Sequence, residues 1–430
     1  MDKKIKVLIF PAGEINSVEL HDALAANVNV DVYGASSIDR HGSYLFRNYA
    51  AGLPMISDPG FLDALNTLIV EWGIDYVFPT HDSVALFLAE SRSRIKASVI
   101  AASAETTRIC RDKRETYTLF SAYDFCPRVY AVPSQFPCFI KPRRGQGSVG
   151  ARRVMSQKDI PKDWFPEDYV ITEYLPGEEF TVDCFSDSQG RLCAVLPRTR
   201  DRLFAGVSVA GRALPAWQEI RSIAEAINQE LDFSGLWYFQ VKQDAAGRCK
   251  LLEISTRCAG SMCLSRARGI NLPLLSVYNA SGKEVELLEN PYSVRMDRTL
   301  ISRYRIDYDY QTVYVDYDDT IALRDEVCLP VIRFLYQCRN QHKKIVLLTR
   351  HGLSHEDTVW ESLAAHAIST AIFDEIIELL DGDEKSDFIQ VAGGAVFIDN
   401  AYMERKKVRE KIGIPVFDVE GVEVLLDWRS

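Results

Sequence analysis

Asp316, Asp318 and Asp319 follow the apolar run 313–315 and are succeeded by Thr320. Three carboxylates at the end of one short strand repel one another unless a cation or a phosphoryl chemistry uses them. Taken alone, the segment reads as well as an acidic surface turn. Thr349 ends a second apolar run at 344–348, Lys385 follows, and Asp399 and Asn400 end a third run at 395–398. The acidic segment thus has company: each of these later polar groups also follows or trails an apolar run.

A second set lies far upstream. Phe139-Ile140-Lys141-Pro142 leads into Arg143-Arg144-Gly145-Gln146-Gly147-Ser148-Val149-Gly150. Glycines let backbone N–H groups close on phosphate oxygens, Ser148 adds a hydroxyl, and Lys141 adds fixed positive charge. A basic hairpin turn is the competing reading, because glycine-rich turns are common. The flanking segments decide between the two: Asp112-Lys113-Arg114 before the loop, then Glu173-Tyr174-Leu175, Glu179, Gln240, Glu253, Ser255 and Arg257 after it.

The elements that must position these groups are partly readable. Apolar runs at 5–10, 28–33, 76–79 and 99–102 alternate with helical patterns at 17–26 and 61–72, the signature of a parallel sheet with crossover helices. From about 136 to 253 the pattern becomes β-rich, with alternation at 179–185 and 248–254 and turn signals at Ser188-Gln189-Gly190 and Ala246-Gly247, an α+β region. The segment 290–310 contains Pro291 and lacks clean periodicity, and a new strand at 312–315 opens a second α/β block. The main boundary is therefore expected near 305, with domains at 1–105, 106–300 and 308–430.

Composition sets the outer limits. The 430 residues allow roughly two to four domains at about 100–200 residues each. With 47% hydrophobic and 26% charged residues, the chain is not disordered, collagenous or coiled-coil. A net charge of −10 argues against nucleic acid or an anionic membrane as partner. Ten cysteines without a CxxC pair suggest neither a zinc knuckle nor a disulfide framework. The N-terminal apolar run is too short for a signal segment and no 18-residue apolar stretch occurs, so the chain is expected to be cytoplasmic, with no membrane span.

The ordered set from Lys113 to Arg257 resembles the ATP-grasp superfamily, particularly its carbamoyl-phosphate-synthase-like and carboxylate-amine ligase members, over about residues 1–290. The resemblance implies a pre-ATP-grasp α/β domain followed by two α+β lobes, with ATP and Mg²⁺ as cofactors. Lys113 and Lys141 would contact ATP phosphates beneath a loop formed by Gly145, Gly147 and Ser148. The backbone around Glu173, Tyr174 and Leu175 would read adenine, and Glu179 would bind the ribose. Gln240 and Glu253 match metal positions, with Ser255, where relatives commonly carry asparagine, as a weaker ligand. Arg257 would face the transferred phosphoryl group. The side-chain chemistry is consistent with these roles, since hard Mg²⁺ prefers oxygen donors and a guanidinium neutralises phosphoryl charge. The reaction implied is ATP-dependent joining of a small-molecule carboxylate to an amine through an acyl phosphate. Arg198, Arg200, Arg212 and the segment 257–261 are the candidates to grip the substrate carboxylate.

The later set, DYDDT, LLT, Lys385 and FIDN, resembles the haloacid dehalogenase (HAD) superfamily over about residues 310–430. It implies a small doubly wound α/β domain with Asp316 as nucleophile and Asp318 as general acid and base. Thr349 and Lys385 would hold phosphoryl oxygens, and Asp316, Asp399 and the main-chain carbonyl of Asp318 would hold Mg²⁺. Asn400 stands where a second acidic residue is frequent. Only 28 residues lie between Thr320 and Thr349 and 35 between Thr349 and Lys385, leaving room for a minimal cap. His351 and His355 stand four apart with Gly352 between them, a pattern expected at a helix entry or surface rather than in a metal site.

Two functions follow. One is a bifunctional enzyme, a ligase joined to a phosphatase that acts on a phosphorylated metabolite, with a homodimer as an allowed assembly. The other is a nucleotide-binding regulatory or scaffold protein in which one or both catalytic domains have degenerated.

Overall fold

The computed structural model describes residues 3–145, 147, 149–160, 165–204, 206–324 and 326–429. The chain divides into two units, Met1–Leu300 with Arg429–Ser430, and Ile301–Trp428.

The first unit opens with a five-stranded parallel sheet ordered Asn48–Ala51, Val30–Ser36, Ile5–Phe10, Tyr76–Pro79, Ser98–Val99. Its crossover helices form where apolar spacing and caps agree. Phe61–Trp72 buries Phe61, Leu65 and Ile69 at four-residue intervals and ends at Gly73, whose φ of 64° is the left-handed conformation that glycine adopts without strain. Two expected strand limits shift. Val28 is exposed and the strand begins at Val30, because the Val30 amide is held in a turn by the Asn27 carbonyl. The run 99–102 is strand only in Ser98–Val99, because the Ala101 amide turns back onto the Val99 carbonyl.

Two antiparallel four-stranded sheets follow. One is ordered Val129–Tyr130, Tyr169–Glu173, Cys138–Pro142, Arg152–Val154, and the other Leu192–Thr199, Glu179–Ser186, Gly235–Gln243, Cys249–Ser255. Alternate residues of the second sheet, including Phe180, Val182, Cys184, Trp237 and Phe239, form a core with Ile220, Ile223 and Ile227 of the helix Gln218–Glu230. That leaves Thr181, Gln240 and Glu253 for the opposite face. The region 290–310, expected to be featureless, contributes the strand Arg295–Asp297, which pairs with Val207–Arg212.

The second unit is built on a five-stranded parallel sheet ordered Glu375–Glu378, Lys344–Thr349, Thr312–Val315, Ala395–Ile398, Val416–Phe417. Val313 and Val315 pack against the helices Leu329–Asn340 and Val359–Ala365, while Tyr314 packs on the other face with Val408 of the helix Tyr402–Ile412. Burial on both faces explains why these strands read as unbroken apolar runs. Register aligns Val315 with Leu347 and with Ile398, so Asp316, Thr349 and Asp399 emerge at the same carboxyl edge, at the point where the strand order reverses. Among the described residues between Thr320 and Thr349, the hairpin Ala322–Leu323/Glu326–Val327 is what precedes the helix and strand of the layer.

All ten cysteines are free thiols. Among the described residues, no helix is long and apolar enough to cross a membrane.

Candidate active sites

In the first unit, Lys113, Lys141, Gly145, Gly147, Glu173, Tyr174, Leu175, Glu179, Gln240 and Glu253 line one cleft of about 870 Å³. Ser148 lies outside the described residues. Lys113 starts a helix whose N-cap is Asp112, a carboxylate that also grips Arg143 and Arg144 behind the glycine-rich loop. Lys113 Nζ lies 3.3 Å from the Glu253 carboxylate and donates to the Gly145 carbonyl, also at 3.3 Å. Lys141 Nζ donates to the Leu252 carbonyl at 3.0 Å and sits over the Tyr117 ring. Burial, and then the charge of Lys113, lower the Lys141 ammonium to about 7, with Glu253 and Glu179 opposing them. Two cations converging on a buried space form a receptor for a polyanion.

Gln240 and Glu253 are register partners on adjacent strands, next to a bulge at Gln240/Val241. They present an amide and a carboxylate side by side, a donor pair that fits Mg²⁺. Glu179 is held by Arg200 at 2.7 Å and Lys242 at 3.6 Å. At Glu173 the amide donates to the Arg128 carbonyl and the carboxylate accepts from the Arg128 amide. The Glu173 N–H is therefore already engaged.

Ser255 and Arg257 line an adjoining cleft of about 1010 Å³ that shares Lys113, Gln240 and Glu253 with the first. Both engage Asp82, a residue missed in the sequence. The Ser255 hydroxyl donates to Asp82 at 2.7 Å and Arg257 at 3.0 Å. Burial pushes the Asp82 carboxyl up, but the charge of Arg257 and the hydrogen bonds from Ser255 and Arg257 outweigh it and hold Asp82 at about 2. The Arg257 Nε is buried and has no hydrogen-bond partner among the described residues. Ser255, expected as a metal ligand, thus has its proton directed at Asp82. Arg198, expected to grip substrate, forms a buried bidentate pair with Asp183 at 2.8 and 2.9 Å and donates to Ser261. Nothing in local sequence marks Asp82 beyond its place just after a strand, in the first turn of the helix Asp82–Glu90.

Gly206 sits at φ 77°, and a Cβ there would run into the Gly147 carbonyl. This close approach brings the glycine-rich loop against the turn before Val207–Arg212.

In the second unit, Lys385 Nζ lies 2.7 Å from Asp316 and 2.6 Å from Asp399. All three are almost completely buried, as is Thr349. Burial raises both carboxyls, with Lys385 opposing it. Two carboxylates against one ammonium leave a buried negative charge, and this oxygen-rich donor set suits a divalent cation. Asp399 Oδ1 accepts from the Ala401 amide at 2.7 Å, and the Asn400 amide donates to Thr320 Oγ1, so Asn400 ties the strand end to the DYDDT loop. Asp318 turns away from this clasp toward His351, whose Nδ1 is 2.8 Å from its carboxylate. His351 does begin a short helix, but it is 2% exposed, so the expected surface placement holds only for His355.

Comparison with known proteins places the first unit. Residues 165–300 match the family model described as ATP-grasp in the biosynthetic pathway with Ter operon. The chain is 25% identical over 259 residues to 3-methyl-D-ornithine–L-lysine ligase of Methanosarcina acetivorans, covering 58% of this chain and 67% of that protein. The crystal structure of L-amino acid ligase from Bacillus licheniformis aligns with a TM-score of 0.53 at 16% identity, over 65% of this chain and 75% of that one. N5-carboxyaminoimidazole synthetase from Staphylococcus aureus, complexed with ADP, aligns with a TM-score of 0.54 at 15% identity, over 66% and 79%. The first unit has an ATP-grasp fold. The family match ends at residue 300, before the second unit begins.

Proposed function

We propose that the chain is a bifunctional enzyme whose first unit is an ATP- and Mg²⁺-dependent ligase joining a carboxylate to an amine. The observation that carries the ligase reading is the convergence of Lys113, Lys141, Gln240 and Glu253 on one cleft. Lys113 and Lys141 would bind the nucleotide phosphates, and Gln240 and Glu253 would hold a Mg²⁺ that supplies positive charge to them. Arg257, oriented by Asp82, would neutralise charge on the phosphoryl group moving to the substrate carboxylate. The ligase names of the aligned relatives, among them one acting on an ornithine derivative and lysine, favour amino-acid-like substrates.

The second unit acts as a Mg²⁺-dependent phosphohydrolase of the HAD kind. Its supporting observation is the Asp316–Lys385–Asp399 clasp beside Thr349 at the carboxyl edge of the sheet. Mg²⁺, when bound, neutralises phosphoryl charge. Asp316 attacks phosphorus, Lys385 and Thr349 hold the phosphoryl oxygens, and Asp318 protonates the leaving group and then activates water.

The test uses the full chain carrying Asp316→Asn, so that a phosphatase cannot mask the ligase. Pairs of amino acids and other carboxylates with amines are screened for stimulated ADP formation. The reading requires ADP release that depends on both partners. Release indifferent to every acceptor, or none with any pair, rejects the ligase assignment.

A further inference from the structure

We propose that Asp318, His351 and His355 form a binding site for a zinc-class divalent cation, separate from the Mg²⁺ position at Asp316 and Asp399, and that its occupancy blocks phosphate release.

The three side chains offer one carboxylate oxygen and two ring nitrogens, all within 4.8 Å of one another. His351 Nδ1 lies 2.8 Å and His355 Nδ1 3.8 Å from the same oxygen of Asp318. Zinc takes nitrogen and oxygen at about 2.0–2.2 Å, which separates neighbouring donors of a tetrahedral site by roughly 3.3–3.5 Å. The observed distances bracket that spacing. The His355 amide donates to the His351 carbonyl at 3.0 Å, closing the turn that brings both rings to one side. The rings stack at 4.4 Å, and His355 is 46% exposed, so it is the ligand free to rotate its nitrogen toward an ion.

The remaining nitrogen of His351 is also placed. Its Nε2 lies 3.4 Å from the Asp357 carboxylate. The contact is not a hydrogen bond, so Nε2 is left without a hydrogen-bond partner among the described residues. At 2.8 Å the His351 Nδ1–Asp318 contact is a hydrogen bond, and an incoming ion would displace its proton as the two atoms part to roughly 3.3–3.5 Å. Gly352, which in the sequence argued against a metal role, donates its amide to the Glu378 carboxylate at 2.8 Å.

The ligand chemistry selects the ion. Imidazole with one carboxylate suits Zn²⁺, Ni²⁺ or Cu²⁺, whereas Mg²⁺ prefers oxygen donors throughout. An ion on the Asp318 carboxylate removes the group that would carry the proton. This blocking half rests on the phosphohydrolase reading, while the binding half does not.

The experiment titrates the purified full chain with Zn²⁺ by calorimetry, with saturating Mg²⁺ present, and repeats it for His355→Gln and His351→Gln. Phosphate release from an aryl phosphate is followed over the same range, each variant referred to its own zinc-free rate. His355→Gln should weaken Zn²⁺ binding on the order of 10- to 100-fold and move the inhibition midpoint by the same factor. His355 is exposed, so its replacement leaves folding intact if His351→Gln does not. Unchanged Zn²⁺ affinity in His355→Gln overturns the site. Weakened binding with an unmoved inhibition midpoint overturns the blocking role and points to displacement of Mg²⁺. A wild-type chain that binds Zn²⁺ through His355 yet releases no phosphate under any condition supports the site while rejecting the phosphohydrolase reading and the blocking role with it.

Discussion

The two candidate sites hold their charges in opposite ways. In the first unit the cations reach a wide cleft from a helix N-terminus and two antiparallel sheets, and Lys141 rests on a main-chain carbonyl. In the second, two carboxylates and one ammonium touch directly at the edge of a single parallel sheet. A site on one sheet is positioned by strand register, which packing on both faces makes rigid. A cleft between sheets is positioned by how the layers around it pack, leaving room for a large ligand and for adjustment around it. Single substitutions should therefore be all-or-none in the second unit and graded in the first.

The largest effect is expected from Asp316→Asn. An amide cannot attack phosphorus and is a poorer Mg²⁺ ligand, so phosphate release should fall by more than roughly 10³-fold while ATP binding to the full chain is unchanged. Substantial phosphatase activity in this variant, on material free of contaminants, would mean the clasp is structural. Asp318→Asn should slow release on the order of 10²- to 10⁴-fold by removing the proton carrier, and a phosphorylated Asp316 should then accumulate, visible by mass spectrometry.

In the first unit, Lys141→Ala and Glu253→Ala should each lower ADP formation on the order of 10²- to 10³-fold and leave phosphate release from an aryl phosphate intact. Near wild-type ADP formation in either would dissolve the contrast between the sites. Ser255→Ala deprives the buried Asp82 carboxylate of a donor and should cost about 1.5–3 kcal/mol of stability in denaturant titration. A magnesium titration of the same variant separates this support of Asp82 from a metal role, since only a ligand shifts the Mg²⁺ midpoint.

The smallest effect is a proton linkage. Lys141 is held at about 7 in the folded chain, against an ordinary lysine near 10.4 once unfolded. Between these values the unfolded chain binds more protons, so this group's contribution makes stability rise with pH across that window. A bound polyphosphate favours the charged ammonium, and nucleotide binding near pH 8 should therefore take up as much as about one proton. Calorimetry in buffers of different ionisation enthalpy measures it, and Lys141→Met should abolish the uptake.

Part of the second unit was legible in the sequence because Asp316, Thr349 and Asp399 follow short apolar strands. The runs at 313–315, 344–348 and 395–398 all became buried parallel strands, and each delivers its polar residue at the next position or one further. His351 was less legible: i,i+4 spacing announces a shared helix face, but not that Asp318, far away in the chain, comes to lie against it. In the first unit the glycine-rich loop and the lysines were visible as motifs. Asp82 was not, because it lies more than 170 positions from Ser255 and Arg257, and its local neighbours mark only a helix start.

The sequence by itself determined where apolar strands end and which ionisable side chains follow them, since period and burial are local properties of the chain. It also determined the order of the candidate site residues in both units. Only the tertiary structure decided which charges meet. Arg198 carries the same guanidinium whether it grips a substrate or Asp183, and packing of the strand pair Glu179–Ser186 and Leu192–Thr199 assigned it to Asp183. Arg257 was brought to Asp82, and Lys385 between Asp316 and Asp399, by layers assembled from distant segments. The field at a side chain is the sum over its neighbours in space, so its charge state and role follow from the packed arrangement rather than from its own stretch of chain.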